Sequence, residues 1–259
     1  MNKISSQVEH HKFIEELARD QQPIIEREYQ EIKNSGQSLF QLTPKVLSPR
    51  SEFEQYSVSV FLSATRIISC FETLEHARVY LENFRTNKRY EEAGIGRSHY
   101  INYHYFNYAI TVVKIIDVAL ILTNKTFRLG NPERLCRLEN IIENSWVCST
   151  SIDKLLKKLN SIVNGWREPR HLFVHRGKTL NGESMHMLET FELLIREDPS
   201  ITFVSQSDVR HLYKSEISRI TKEFERTEPL LFNAISELLS QLLPIYRFWR
   251  KTLKETSEG

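Results

Sequence analysis

Apolar residues recur at three- and four-residue spacing along most of the chain, with polar residues between them, the signature of amphipathic helices. Residues 3–33 carry a narrow apolar stripe on a polar segment and end at the breaker NSGQS. A proline-containing connector, LTPKVLSPRSEFE, follows, and its Ser51 and Glu54 stand at capping-box spacing. They introduce a helix predicted from Phe53 to about Lys88, with Val60, Ile67, Ile68, Phe71, Leu74 and Leu81 near helical spacing. EEAGIGRS breaks it, and a third helix is predicted from about His99 to Phe127, stopped by LGNPE. Shorter helices are predicted at about 131–146 and 151–163. Beyond residue 178 the pattern changes: LETFELLIRE and ITFVSQ flank the turn signal DPS and read as a β-hairpin. SDVRHLYKSEIS then opens a last helical region reaching about residue 254, with interruptions predicted near Pro229 and Pro244.

The fold class predicted is therefore all-α: a bundle of long helices with a small β-hairpin inserted before the C-terminal helix. Residues 1–50 form an N-terminal helix and connector, and 51–259 form the bundle, in one compact domain overall. A chain of 259 residues can bury a core of that size, and eight glycines and eight prolines suit long helices better than many tight turns.

The net charge of +2 excludes a general affinity for nucleic acid, so any such binding must come from a local patch. Cys70, Cys136 and Cys148 form no CxxC pair and read as reduced core thiols of a cytosolic protein. The N-terminus has no apolar core of the secretory kind. The most apolar run, AITVVKIIDVALIL, carries Lys114 and Asp117 and reads as too short to span a bilayer, hence as a buried helix. These features predict a cytoplasmic protein with no membrane partner.

One stretch concentrates chemistry. WREPRHLFVHRGK, residues 166–178, gathers three arginines, two histidines and a lysine, opposed only by Glu168. Pro169 suits the first turn of a helix and Gly177 the position just past its end. On such a helix Arg170 and His175 are about 140° apart around the axis, whereas His171 and His175 are about 40° apart. Leu172, Phe173 and Val174 spread over most of the remaining circumference, and Arg170 falls between Phe173 and Val174. An arginine in an apolar arc needs an anion or a partner surface, because a buried unpaired guanidinium is costly.

At Arg170 to His175, RHLFVH, the chain resembles the HEPN (higher eukaryotes and prokaryotes nucleotide-binding) domains, whose signature is an arginine, a polar residue, three further residues and a histidine. The helical context before the motif belongs to the resemblance; the first helix and the hairpin do not. The resemblance implies a metal-independent endoribonuclease without cofactor, acting in a toxin or phage-defence role. His175 would act as general base on the ribose 2′-hydroxyl or as acid toward the leaving 5′-oxygen, with His171 as the polar signature residue beside it. Arg170 would hold the scissile phosphate, and the product would be a 2′,3′-cyclic phosphate. It also implies a homodimer pairing two motif helices, and a possible antitoxin or defence-system protein partner. In one toxin branch a modifiable tyrosine lies two residues after the motif histidine; here that position is Gly177, so silencing by that modification is not implied.

Other readings of the same residues stand beside this one. The motif can simply pin a short helix to the bundle, with Arg170 bridging to a carboxylate such as Asp117. It can serve a non-catalytic RNA- or protein-binding module. His171 and His175 at i, i+4 also suit zinc, although no HExxH glutamate is present and His186 and Cys148 lie at no diagnostic spacing. For RNA contact the candidates are Arg167, Arg176 and Lys178 around the motif, with Arg89, Arg97 and Tyr100 from a second patch, RTNKRYEEAGIGRSHYINYHYFNY, where cations interleave with aromatics. Tyr105 and Tyr108 in that stretch read as core. GIG by itself is no phosphate loop.

Overall fold

In a computed structural model the described residues are 3–36, 47–85, 88–176, 183–198, 200 and 203–258. In chain order the helices are α1 (Ile4–Glu9), α2 (Lys12–Ser35), α3 (Glu52–Glu82), α4 (Lys88–Glu92), α5 (Arg97–Phe127), α6 (Leu138–Ile142), α7 (Ser145–Cys148), α8 (Ile152–Asn164), α9 (Arg167–Arg176), α10 (Glu183–Glu197) and α11 (Gln206–Glu258), with a 3₁₀ turn at Glu133–Leu135. No strand occurs among the described residues.

The predicted hairpin is thus corrected to helix over its first half. Met185, Leu188, Phe191 and Ile195 fall three, three and four residues apart, and Met185 and Leu188 are buried. That helical period outweighed the β-branched composition. In the second half, residues 201–202 lie outside the described residues. Phe203–Ser205 lead directly into α11, where Ser205 and Asp208 cap each other reciprocally.

The predicted interruptions of the last helix are also corrected. α11 runs unbroken through Pro229 and Pro244 for 53 residues. Both prolines are exposed, while Phe224, Leu231, Ile235, Leu238, Leu242 and Tyr246 are buried at helical spacing around them. Packing on the inner face holds the helix where each proline removes one hydrogen bond.

Other expectations are met at the level of single residues. Ser51 and Glu54 form the capping box of α3, with Glu54 N–H to Ser51 Oγ at 3.2 Å and Ser51 N–H to Glu54 Oε2 at 2.7 Å. Gly36 closes α2 in the left-handed conformation. The first predicted helix is broken at His10–His11, because the His11 ring turns back to accept from Phe13 N–H and its other nitrogen meets Ser240 Oγ at 3.1 Å. The predicted helix at 131–146 resolves into the 3₁₀ turn, α6 and α7.

The chain divides into two units by internal packing. One comprises Met1–Ser69, Asp117–Leu159 and Asn233–Gly259. It holds a buried polar network: Tyr246 donates to Asp20 at 2.7 Å and meets Ser57 Oγ at 3.1 Å, Gln21 donates to Ser57 at 2.7 Å, and Arg250 pairs with Asp20 at 2.8 Å. Arg247 grips Glu16 through two hydrogen bonds.

The other unit comprises Cys70–Ile116 and Asn160–Phe232. Its centre is four rings: Tyr108 stacks on Phe224 at 3.5 Å between centroids, Trp166 packs against both, and Tyr105 packs against Phe224 and Trp166. Tyr105 and Tyr108 are core residues, as predicted.

By length and composition α3 and α5 could each cross a membrane, which corrects the expectation that the apolar run is too short. Seventy-two per cent of the apolar window of α5 is buried, and Lys114 and Asp117 occupy exposed positions, the pattern of a core helix. Of the cysteines, Cys70 and Cys136 are buried free thiols, but Cys148 is exposed, which corrects its assignment to the core.

Candidate active site

Trp166 fixes where the motif helix begins. It is buried in the ring cluster, and its carbonyl accepts the Arg170 N–H, so α9 grows outward from a rigid anchor. Along α9 itself no residue is buried. Among the described residues its aromatic contact to another helix is Phe173, stacked on Phe106 of α5 at 4.2 Å between centroids and 12° between planes. The apolar arc around Arg170 is therefore a surface: Phe173 is 37% exposed and Val174 48%. Arg170, His171, His175 and Arg176 are all exposed. Arg170 makes no ion pair or side-chain hydrogen bond among the described residues, so a bridge to a buried carboxylate does not explain it. The rings of His171 and His175 lie 4.8 Å apart, and among the described residues no third metal-ligating side chain joins them. Arg167 is held by Asn160 Oδ1 at 2.5 Å. Lys178 and Gly177 lie outside the described residues.

The second patch gathers around the start of α5. Phe84, Tyr90, Tyr100 and Tyr213 pack ring against ring, with Phe84 4.6 Å from Tyr100 and 5.9 Å from Tyr213. Burial, with Tyr90 and Tyr80 nearby, pushes the Tyr100 hydroxyl up from its ordinary value. The Arg97 guanidinium stands over the Phe84 ring at 5.8 Å. His104 sits within 5.0 Å of Tyr80, Tyr100 and Tyr103, and burial lowers its pKa. Arg89 is exposed on α4.

The structure does not bring these two groups together. Nine residues separate Arg97 from Phe106, a half-turn in excess of two full turns, so they leave opposite sides of α5. Phe106 faces α9, whereas Arg97, Tyr100 and His104 face away from it.

GIG behaves as the sequence suggests. Gly94 takes a left-handed conformation, and the N-terminus of α5 is closed by the protein's own Glu192. That carboxylate accepts from Arg97 N–H at 2.7 Å, Ser98 N–H at 3.0 Å and Ser98 Oγ at 2.6 Å. Glu192, Phe84, Arg210 and Tyr213 were not singled out from sequence. Their roles depend on pairings across 95 positions for Glu192 with Arg97 and 129 for Phe84 with Tyr213, which carry no local signal.

A profile of the Cthe2314-like HEPN family matches residues 55–226, about two-thirds of the chain, spanning the ring cluster, α9 and α10. A mostly helical chain whose Arg170–His175 signature sits inside that match belongs to the HEPN superfamily. Neither curated proteins nor solved structures return a match.

Proposed function

We propose that this chain is a metal-independent endoribonuclease of the HEPN type, leaving a 2′,3′-cyclic phosphate. The observation that carries the reading is the exposed cation of α9, unpaired among the described residues, beside its exposed imidazole pair, within the region matched by the family. A guanidinium with no carboxylate partner among the described residues is available to a phosphate, and two imidazoles tilted at 45° with centroids 4.8 Å apart supply the groups that general acid–base chemistry uses. Arg170 and His175 point about 140° apart on one helix, so a single copy does not converge them on one phosphodiester. A second copy, its α9 apposed and the Phe173–Val174 surface covered, supplies the missing half. The partners in this reading are thus RNA and another copy of the chain, in a cytoplasmic setting.

The test is cleavage of RNA by the purified full chain in EDTA. His175→Ala and Arg170→Ala should keep the wild-type circular dichroism and lose cleavage about 10²-fold or more, with the cyclic phosphate product absent. Undiminished cleavage by both variants would remove the assignment. RNA binding without any cleavage by wild type would instead support a non-catalytic binding module.

A further inference from the structure

We infer that the side of α5 facing away from the motif helix docks an acidic segment of a partner protein. Two cavities meet there and share Arg97 and Arg210, so together they form one open groove. One, of about 730 Å³, lies between the first turns of α5, the second half of α10 and the start of α11. The other, of about 610 Å³, continues along α11 as far as Lys222 and Glu225. The groove shares no residue with the motif helix.

The two ends of the groove differ in character. At the first, Ile95 and Leu193 line one cavity and leave 38% and 48% of their surface to water, which an apolar side chain would cover. At the second, the wall carries Arg97, Arg210, Lys214 and Lys222. Among the described residues none of these four is in an ion pair, whereas Arg78, Arg219 and Arg250 each hold a carboxylate. Lys214 and Lys222 stand four and twelve residues after Arg210 on α11, about 6 and 18 Å along the axis. An extended polypeptide covers that 18 Å with about six residues.

Spaced carboxylates fit this ladder better than a phosphodiester strand does. Glu82 and Glu225 stand among the cations, and Glu189 and Glu192 line the apolar end. A strand charged at every unit is repelled at those points, where a polypeptide can place a neutral residue. The Phe84 ring is covered by Arg97, Tyr90 and Tyr100, so it offers no face to a base. The N-terminus of α5 is closed by Glu192, so incoming carboxylates meet the side-chain cations rather than the helix end. The occupant that satisfies both ends has apolar residues at one end and spaced Asp or Glu along the rest.

The test is fluorescence anisotropy of the full chain with a labelled peptide of about twelve residues. It carries two leucines at one end, followed by glutamates alternating with serines, and is made in both polarities. One polarity should bind; lysine in place of glutamate should abolish binding, and serine in place of the leucines should weaken it about tenfold. Arg210→Gln and Lys214→Gln change exposed positions, so both variants should keep the wild-type melting temperature. Each should weaken the peptide about threefold, and the two together about tenfold. Arg170→Ala should leave peptide affinity unchanged, so failure here and failure of the nuclease assignment are told apart. Unlabelled single-stranded RNA of the same length serves as competitor. Displacement by RNA at lower concentration than by the unlabelled peptide would assign the groove to nucleic acid and overturn the proposal. Absence of binding in both polarities, or binding indifferent to the double variant, would overturn it equally.

Discussion

Replacing Glu192 by alanine tests the local logic of the α5 start. Its carboxylate is the acceptor for two backbone N–H groups and one hydroxyl at the head of a 31-residue helix. Loss of a cap costs about 0.5–2 kcal/mol, and the charge on the helix dipole adds about 0.3–1 kcal/mol. Glu192→Ala should therefore destabilise by about 2 kcal/mol, a fall in Tm of about 4–8 °C for a chain of this size.

Gly96→Ala probes the same contact from the other side. A Cβ there would stand 2.5 Å from Glu192 Oε2, 2.9 Å from its Cδ and 3.2 Å from its Oε1, its three nearest atoms. Gly96 has no left-handed φ, so the substitution carries no backbone penalty and by itself stiffens the unfolded chain favourably, by about 0.4–1 kcal/mol. Its cost is the displaced cap alone, about 1 kcal/mol net. In a Glu192→Ala background that cost should vanish, and Gly96→Ala should become neutral or stabilising. Thermal melts by circular dichroism on the four proteins give the cycle. Additive losses from the two substitutions would refute the reasoning, because they would show that Gly96 and Glu192 do not share one interaction.

Phe173→Ala removes the aromatic anchor of α9; scaling a buried Phe truncation by its partial exposure gives a loss of about 2 kcal/mol in urea unfolding, and a loss under about 0.5 kcal/mol would show that the stack on Phe106 anchors nothing. Arg247 holds the Glu16 carboxyl below its ordinary value of 4.5, so its stabilisation is full above that value and lost as pH falls through the lower folded one. The Tm gap between wild type and Glu16→Gln should accordingly be open at pH 7 and close on acidification below the ordinary carboxylate range; a constant gap would contradict the assignment. The Tyr108 hydroxyl is buried without a hydrogen-bond partner among the described residues, so Tyr108→Phe should leave stability unchanged or raise it by about 1 kcal/mol in denaturant melts, and a drop larger than about 1 kcal/mol would show the hydroxyl to be satisfied.

What the sequence makes legible is local. The capping box at Ser51, the stop at Gly36, the core positions of Tyr105 and Tyr108 and the limits of α5 all follow from short-range pattern. The motif helix is legible for the same reason, since Arg170 and His175 share a single helix of ten residues. Failures arise where packing overrides composition: Pro229 and Pro244 sit inside α11 because the inner face is apolar on both sides of each, and the first half of the supposed hairpin is helical because Met185, Leu188, Phe191 and Ile195 recur at helical spacing. The relation between the two cationic patches was out of reach. It depends on the half-turn between Arg97 and Phe106, and only the Phe106–Phe173 stack tells which side α9 takes.

A ten-residue helix with no buried side chain is shorter than water tolerates in isolation, where about 12–15 residues are needed. Its persistence is borrowed from Trp166 below it and one phenyl ring beside it, so residues 167–176 form the segment whose amides should take up deuterium ahead of the neighbouring α8. Whatever covers that face, strand or sister subunit, will leave its mark as slowed labelling there, and the ligand's footprint can be mapped before any product is seen.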